Sequence, residues 1–214
     1  MKPRVAAILA SLTVAAPAFG QGATLTADPE QACYREEDRI FLIGSGFTPN
    51  TGLDFSRDGQ PLEPVEPILA DAAGDLRVGL KLSGMLSEQR RFSYMVTDSL
   101  NPLNEAGVEL LVTATEVMLT PQRGAPNRRL KIAARGFFGG RTLYAHILRD
   151  RSRRVRTLRV GRVRGACRTV TARRRLFPAG TPPGRYSIQF DTSRRYRDRR
   201  AVQFEYNLTF ADRS

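Results

Sequence analysis

The chain has no tryptophan, one histidine, two cysteines and three lysines among its 214 residues. Two cysteines and one histidine are too few for an ordinary four-ligand zinc site. The sequence also lacks the Gly-x-Ser-x-Gly elbow of many hydrolases and the Gly-x-x-x-x-Gly-Lys loop that cradles phosphates. These absences exclude the commonest metal-dependent, hydrolytic and nucleotide-binding classes, and we predict no metal, no cofactor and no enzymatic activity.

Long apolar runs are missing too, except near the start of the chain. Lys2 and Arg4 precede a run of apolar and small residues at 5–16, and small residues follow at the positions that a signal peptidase reads. The run is shorter than the ~20 apolar residues that a membrane span needs. We therefore predict a signal peptide at 1–20, with a retained N-terminal anchor as the alternative. The mature chain is then expected to have no transmembrane segment and to be secreted or held in the cell envelope.

The expected export changes the interpretation of the two cysteines. Outside the cytoplasm, a pair of thiols more often forms a disulfide than a metal or redox site. We predict a bridge between Cys33 and Cys167, which would join the two halves of the chain. Two unpaired or intermolecular thiols remain the alternative.

Charge is divided sharply along the chain. Residues 21–115 carry 7 Lys and Arg against 15 Asp and Glu, a net charge of −8, whereas residues 116–214 carry 25 against 6, a net charge of +19. The boundary coincides with the start of an internal repeat. In each half, a strand that ends at a proline (Pro29, Pro121) is followed by a turn, a second strand and a Gly-Phe pair at 46–47 or 136–137.

Short stretches of alternating apolar and polar residues predict β-strands throughout, and no window shows a sustained helical period. Turn signals rich in Gly, Pro, Asn and Asp separate these stretches. The alternating segments lie at 39–43, 76–82, 92–96, 108–112, 143–148, 154–160, 186–190 and 202–210. We predict an all-β protein of two tandem β-sandwich domains with about seven strands each, an acidic domain at 22–115 and an arginine-rich domain at 116–214.

Three segments, at 44–50, 71–76 and 94–98, resemble bacterial immunoglobulin-like domains of the IPT/TIG-like kind, which are exported and arranged in tandem. The resemblance implies immunoglobulin-like sandwiches that act as spacers, adhesins or accessory binding units. Gly184-Arg185-Tyr186 also resembles the tyrosine corner of such sandwiches. The antibody hallmarks of a buried tryptophan and an intradomain cysteine pair are absent.

Candidate catalytic side chains are sparse. His146 shares strand parity with Tyr144 and Leu148, which favours a packed or solvated histidine over a catalytic one. The carboxylates of the first half cluster at 36–38 and at 63–75 without the spacing of a calcium loop, so we interpret them as solvated acidic loops. No catalytic residue is predicted.

The arginines of the second half are the strongest chemical signal. Alternation in Arg154-Val155-Arg156-Thr157 predicts an outward row on a strand, and its slip after Thr157 predicts a bulge near Val160. We predict a polyanion-binding surface formed by eight arginines, namely Arg149, Arg151, Arg153, Arg154, Arg156, Arg159, Arg162 and Arg164. Because the chain has 31 arginines against 3 lysines, a purely compositional origin stays open.

Our leading functional hypothesis is an exported structural or adhesive protein whose basic domain docks on an anionic cell-envelope polymer or an acidic surface protein. An accessory carbohydrate- or ligand-binding module at the cell surface is the alternative. Nucleic acid is an unlikely partner because aromatic side chains that could stack on bases do not alternate with the arginines.

Overall fold

A computed structural model describes residues 22–63, 66–82, 88–149, 153–197 and 202–209. Within these ranges the chain is all-β, with sixteen strands and no helix. The strands form two sandwich-like units, one following the other along the chain. The expected signal peptide at 1–20 lies outside the described residues.

Each unit contains eight strands. The first consists of β1 (Thr24–Asp28), β2 (Tyr34–Arg35), β3 (Arg39–Ser45), β4 (Leu53–Arg57), β5 (Gln60–Pro61), β6 (Leu76–Lys81), β7 (Arg90–Asp98) and β8 (Glu105–Thr113). The second consists of β9 (Glu116–Thr120), β10 (Arg123–Gly124), β11 (Arg129–Arg135), β12 (Thr142–Arg149), β13 (Arg153–Arg162), β14 (Val170–Arg175), β15 (Gly184–Asp191) and β16 (Val202–Leu208). Eight strands rather than seven arise because two-residue strands are too short to show alternation.

The two units share one topology. In the first, a three-stranded sheet in the order β1-β3-β6 faces a five-stranded sheet in the order β2-β8-β7-β4-β5. In the second, β9-β11-β14 faces β10-β16-β15-β12-β13, which is the same arrangement eight strands later. Strands that change sheets in this order are characteristic of immunoglobulin sandwiches. The predicted all-β, immunoglobulin-like fold is confirmed.

Each sandwich has its own core, built by alternation along the strands. In β3 and β11 alternate residues are buried, and Leu42 and Ile132 occupy the same place in the two sheets with no exposed surface. The two apolar clusters share no residue, one spanning 25–112 and the other 117–208. The domain limits 22–115 and 116–214 stay a prediction.

Close backbone contacts join the sandwiches at Gly136. Its N–H donates to the carbonyl of Cys167 at 3.0 Å, and its own carbonyl accepts from the Thr115 hydroxyl at 3.0 Å. The residue has a φ of +75°, and a Cβ there would lie 2.4 Å from the Ala114 carbonyl oxygen. Only glycine combines this left-handed conformation with so close an approach.

A disulfide between Cys33 and Cys167 also links the two sandwiches, with the Cα atoms 5.2 Å apart. Cys33 precedes β2, and Cys167 lies in the turn between β13 and β14. The predicted pairing is confirmed, and the alternative of free or intermolecular thiols is wrong for this structure. Both side chains are buried.

The expected tyrosine corner is present in the second sandwich. The Tyr186 hydroxyl donates to the carbonyl of Pro182 at 2.8 Å, which fixes the start of β15 to the preceding loop. The ring of Tyr186 packs against Phe177, with centroids 5.1 Å apart. The first sandwich has Phe92 at the matching place, so it lacks this bond.

Candidate polyanion-binding groove

Four arginines converge on one groove of the second sandwich. The groove has a volume of about 660 Å³, and β13 supplies most of its lining. Tyr144 comes from the neighbouring strand β12, and Arg194 comes from the loop that follows β15. The lining residues are Tyr144, Arg154, Val155, Arg156, Thr157, Arg159 and Arg194.

Bulges in β13 account for the way its arginines are presented. The pairing of β12 with β13 shifts register twice, so that Val155 and Val160 have no partner on β12. The second shift confirms the bulge predicted near Val160. A bulge bends a strand and redirects its side chains, and here Arg154, Arg156 and Arg159 all reach the same groove despite uneven spacing.

The groove is strongly positive. No carboxylate lines it, and in the described part of the chain none of its four arginines forms a salt bridge. The nearby carboxylate of Asp191 does not pair with these arginines. It accepts hydrogen bonds from Ser193 N–H at 2.7 Å and Gln189 Nε2 at 3.0 Å. Arginines that line one groove without an acidic partner would attract an anion.

Edge protection alone does not account for this arrangement. β13 is the last strand of its sheet, and natural proteins use charges and bulges to stop such edges from pairing with other chains. That requirement can explain Arg154, Arg156 and Arg159. It does not explain why Arg194, from a separate loop, joins them in the same groove.

A buried polar network lies beneath the groove. His146 has no exposed surface, and its Nδ1 lies 2.8 Å from the hydroxyl of Thr157, which lines the groove. Its Nε2 lies 3.2 Å from Asp191 Oδ1 and 3.0 Å from the carbonyl oxygen of Ser193. Because both of these partners are acceptors, we assign the ring hydrogen to Nε2, and the Thr157 hydroxyl then donates to Nδ1.

The network attaches the segment 192–197, which follows β15, to the sheet below it. Ser193 accepts from His146, and the Arg197 carbonyl accepts from Gln189 Nε2 at 3.0 Å. The ring of Tyr196 packs on His146, with centroids 5.6 Å apart. These contacts hold the loop segment that carries Arg194, so the buried network positions one wall of the groove.

A hydroxyl, a histidine and a carboxylate in a row also resemble a nucleophile with its base and orienting group. The sequence did not predict that Thr157, His146 and Asp191 meet, since they come from different strands. His146 is sealed from solvent, and both of its ring nitrogens are engaged by the chain. The expectation of a packed histidine is confirmed, and its contacts support a structural role.

The eight predicted arginines do not lie together on one surface. Arg154, Arg156 and Arg159 share the groove. Arg149 and Arg153 face each other across the β12–β13 pairing. The remaining three are Arg162 and Arg164, which lie at the opposite end of β13 near the disulfide turn, and Arg151, which lies outside the described residues.

At least one arginine of this half has a structural role instead. Arg174 Nε donates to the carbonyl of Val160 at 2.8 Å, and Val160 is the bulged residue of β13. The contact links β14 of one sheet to β13 of the other at the edge of the sandwich. Arginine content therefore does not translate directly into ligand contacts.

Carboxylates of the first sandwich stabilise turns. Asp71 accepts the N–H groups of Asp75 and Ala73, and these bonds hold its pKa below its usual value. The solvated-loop interpretation therefore misses this capping role. Within the described ranges, no group of three or more His, Cys, Asp or Glu side chains is placed to hold a metal ion.

The most strongly perturbed carboxyl is Asp98, which has no exposed surface. Hydrogen bonds from Thr48, with its side chain the largest contributor, and from the N–H groups of Leu100 and Asn101 lower its pKa to about 2, although burial opposes this shift. The carboxylate oxygens lie 2.9 Å from the nitrogens of Thr48 and Leu100. Asp98 thus joins two loops at one end of the first sandwich.

A second cavity, of about 490 Å³, lies where the sandwiches meet. Its lining is largely apolar and includes Phe137, Phe138, Phe190 and Val202, while Arg35 and Arg197 add positive charge and Asp191 adds a carboxylate. Arg35 belongs to the first sandwich, so residues of both units line this junction pocket.

No family model and no curated protein matches the sequence. Among solved structures, the chain is similar to a protein described as membrane anchored from Corynebacterium diphtheriae, at 9% identity and a TM-score of 0.38, over 88% of this chain and 57% of that one. It is also similar to the Yersinia pseudotuberculosis adhesin InvE, at 11% identity and a TM-score of 0.34, over 88% and 58%. The I9–I11 tandem of titin matches at 11% identity and a TM-score of 0.33, over 88% and 66%.

The chain spans less than two thirds of the length of each of these three proteins. At such TM-scores we base no functional argument on the likeness. Among the described residues no helix is long and apolar enough to cross a membrane.

Proposed function

We propose that the chain is an extracytoplasmic, non-enzymatic structural or adhesive protein that binds an anionic cell-envelope polymer through the groove of its second sandwich. The ligand class is a polymer with repeated phosphate, sulfate or carboxylate groups, because planar guanidinium groups match these anions. Membership among the IPT/TIG-like modules is part of the same proposal.

The observation that carries the proposal is the convergence of Arg194 with Arg154, Arg156 and Arg159 in a groove without carboxylates. Composition can enrich arginine, and edge protection can place it on β13. Neither requires an attached loop to deliver a fourth guanidinium to the same place. The signal peptide predicted at 1–20 and the disulfide support a location outside the cytoplasm.

The direct test is binding of purified protein to heparin at about 50 and 200 mM salt, with the double variant Arg156→Gln and Arg159→Gln. Glutamine keeps much of the side-chain length while removing the charge. We expect this variant to bind at least tenfold more weakly, and we expect the slope of log K against log salt to fall by about 2.

The matched control is Arg162→Gln with Arg164→Gln, which removes the same charge from the same strand region outside the groove. This control should stay within about twofold of the wild type, because charges without direct contact act only through screened attraction. Equal losses in the two double variants would show that total charge, not the groove, governs binding. Arg194→Gln alone should weaken binding without affecting the melting temperature.

The junction pocket favours a second candidate, an accessory module for a small amphipathic anion. Its apolar lining beside Arg35 and Arg197 suits a ligand with an apolar body and an acidic group, since the one carboxylate of the lining, Asp191, is engaged by Gln189, Ser193 and His146. The probe is 1-anilinonaphthalene-8-sulfonate. Saturable dye binding that is lost in Phe138→Ala would favour this candidate, whereas unchanged dye binding in that variant would eliminate it.

A further inference from the structure

A second positive face lies on the opposite sheet of the same sandwich. Alternation along β11 buries Leu130 and turns Arg129 and Lys131 outward. Antiparallel pairing with β14 places Arg175 directly opposite Arg129 and Arg173 directly opposite Lys131. We call these four residues the paired-cation face.

Pairing of like charges distinguishes this face from an ordinary basic surface. Side chains directly opposite each other on neighbouring strands are about 5 Å apart at Cβ, and like charges there destabilise the sheet. Here two such pairs are adjacent. The only carboxylate on β9, β11 and β14 is Glu116, and it forms a salt bridge with Arg135, at the end of β11 away from these pairs.

The corresponding face of the first sandwich is built differently. Arg39 and Lys81 occupy the places of Arg129 and Arg175, but Lys81 forms a salt bridge with Glu37. The next pair is Phe41 with Gly79 rather than Lys131 with Arg173. The fold therefore does not require cations at these positions, and the second sandwich has them without acidic partners among the described residues.

We propose that the paired-cation face is a second binding site for the same class of anionic polymer, so that one molecule bridges two polymer chains. The two sheets of a sandwich pack about 10 Å apart with their outer faces pointing in opposite directions. The groove lies on the sheet containing β13, and the paired-cation face lies on the other sheet. A single short polymer chain therefore cannot occupy both the groove and the paired-cation face. This inference rests in part on the proposed function, because bridging requires the groove as well.

The spacing of the charges favours an extended polymer. Cations two residues apart on a strand are about 6.8 Å apart, and those on neighbouring strands about 4.8 Å apart. The four cations therefore form a compact patch that can neutralise several adjacent anionic groups of one polymer chain. Among the described residues of β9, β11 and β14, the one large apolar side chain exposed is Met118, so the face has little with which to enter a lipid surface.

The test is a bridging assay with monomeric protein, heparin fixed on beads and fluorescent heparin in solution. Wild-type protein should capture the soluble heparin on the beads. The variant Lys131→Thr with Arg173→Thr should still bind the beads through the groove, yet capture soluble heparin about tenfold less, because counterion release at the second site is lost. Threonine suits a strand position, so we expect the variant to fold.

The matched control removes a cross-strand cation pair from the corresponding face of the first sandwich, Arg39→Thr with Lys81→Thr, which lies one pair along from the counterparts of Lys131 and Arg173, and should capture normally. Absence of bridging by the wild type, or unchanged bridging by Lys131→Thr with Arg173→Thr, would overturn the inference. Capture of phosphatidylglycerol vesicles but not of heparin would show that the paired-cation face binds a membrane surface and not a polymer. Failure of the groove is seen separately, as unchanged bead binding when Arg156→Gln and Arg159→Gln are added to the variant Lys131→Thr with Arg173→Thr.

Discussion

The two sandwiches carry different side chains at the same place in the same sheet. In the first, Phe41 is 43% exposed, and the guanidinium of Arg77 lies 4.0 Å from the centre of its ring. In the second, Lys131 and Arg173 occupy the positions of Phe41 and Gly79. The inward positions are apolar in both, except that Arg174 stands opposite Leu130 where Leu80 stands opposite Ile40. The comparison shows that inward residues specify the sandwich and leave outward residues free to diverge in charge.

The largest expected effect tests whether the two cores are energetically separate. Leu42→Ala should destabilise the first sandwich and Ile132→Ala the second, each by about 2–5 kcal/mol, because both side chains are fully buried and leave a cavity. Hydrogen exchange of peptides from each sandwich during urea unfolding measures this. If either substitution lowers the protection of both sandwiches equally, the two form one cooperative unit.

The next effect concerns the junction. Gly136→Ala would force a side chain against the Ala114 carbonyl at a φ of +75°, and it should cost about 1–3 kcal/mol. Gly180→Ala is the matched control, since its φ is +82° but no atom lies within 4 Å of the added Cβ. Thermal unfolding of both variants measures the difference. Equal losses would mean that backbone conformation alone accounts for the effect.

A smaller loss of stability is expected from removing the tyrosine-corner hydrogen bond, which only the second sandwich has. Tyr186→Phe removes the bond to Pro182 and should cost about 1 kcal/mol. Tyr206→Phe serves as the control, because among the described residues no hydrogen bond is seen for its hydroxyl. Urea unfolding of the second sandwich measures both variants. A cost in Tyr206→Phe as large as in Tyr186→Phe would contradict a specific role for the corner.

The last prediction concerns the stability of the first sandwich in acid, and it has the smallest effect at neutral pH. Folding lowers the pKa of Asp98 from 3.8 to about 2, so the folded state favours the ionised form. The stabilisation is complete above the unfolded value and is lost as the pH falls from about 4 toward 2. Hydrogen exchange should show the first sandwich losing protection over this range, with a flatter dependence in Asp98→Asn. An unchanged pH dependence in that variant would assign the acid sensitivity to other groups.

Local patterns allowed much of the fold to be predicted. Alternation located β3 and β12, and the repeated Gly-Phe pair marked the same turn in both halves. Tyr186 was recognisable because a tyrosine corner depends on neighbours close in sequence. The pairing of Cys33 with Cys167 followed from there being only two cysteines in a chain expected to be exported.

The groove could be predicted only in part, because it depends on contacts between distant segments. The arginines of β13 were evident from their density. The bulge at Val155 and the participation of Arg194 were not, since a loop that folds back over a sheet leaves no periodic signal. The position of His146 was a clue to this loop, because a polar residue on the outer face of a strand must either be solvated or be covered by such a loop.

The disulfide has a consequence for how the protein responds to tension. A pull on the chain outside the bridge passes directly from Cys33 to Cys167, so strands β2–β13 are shielded from it. With a sequence separation of 134 residues, the covalent bypass withholds roughly 450 Å of extension. Under force the segment between the two cysteines cannot be extended, so only β1 and β14–β16 are pulled on directly.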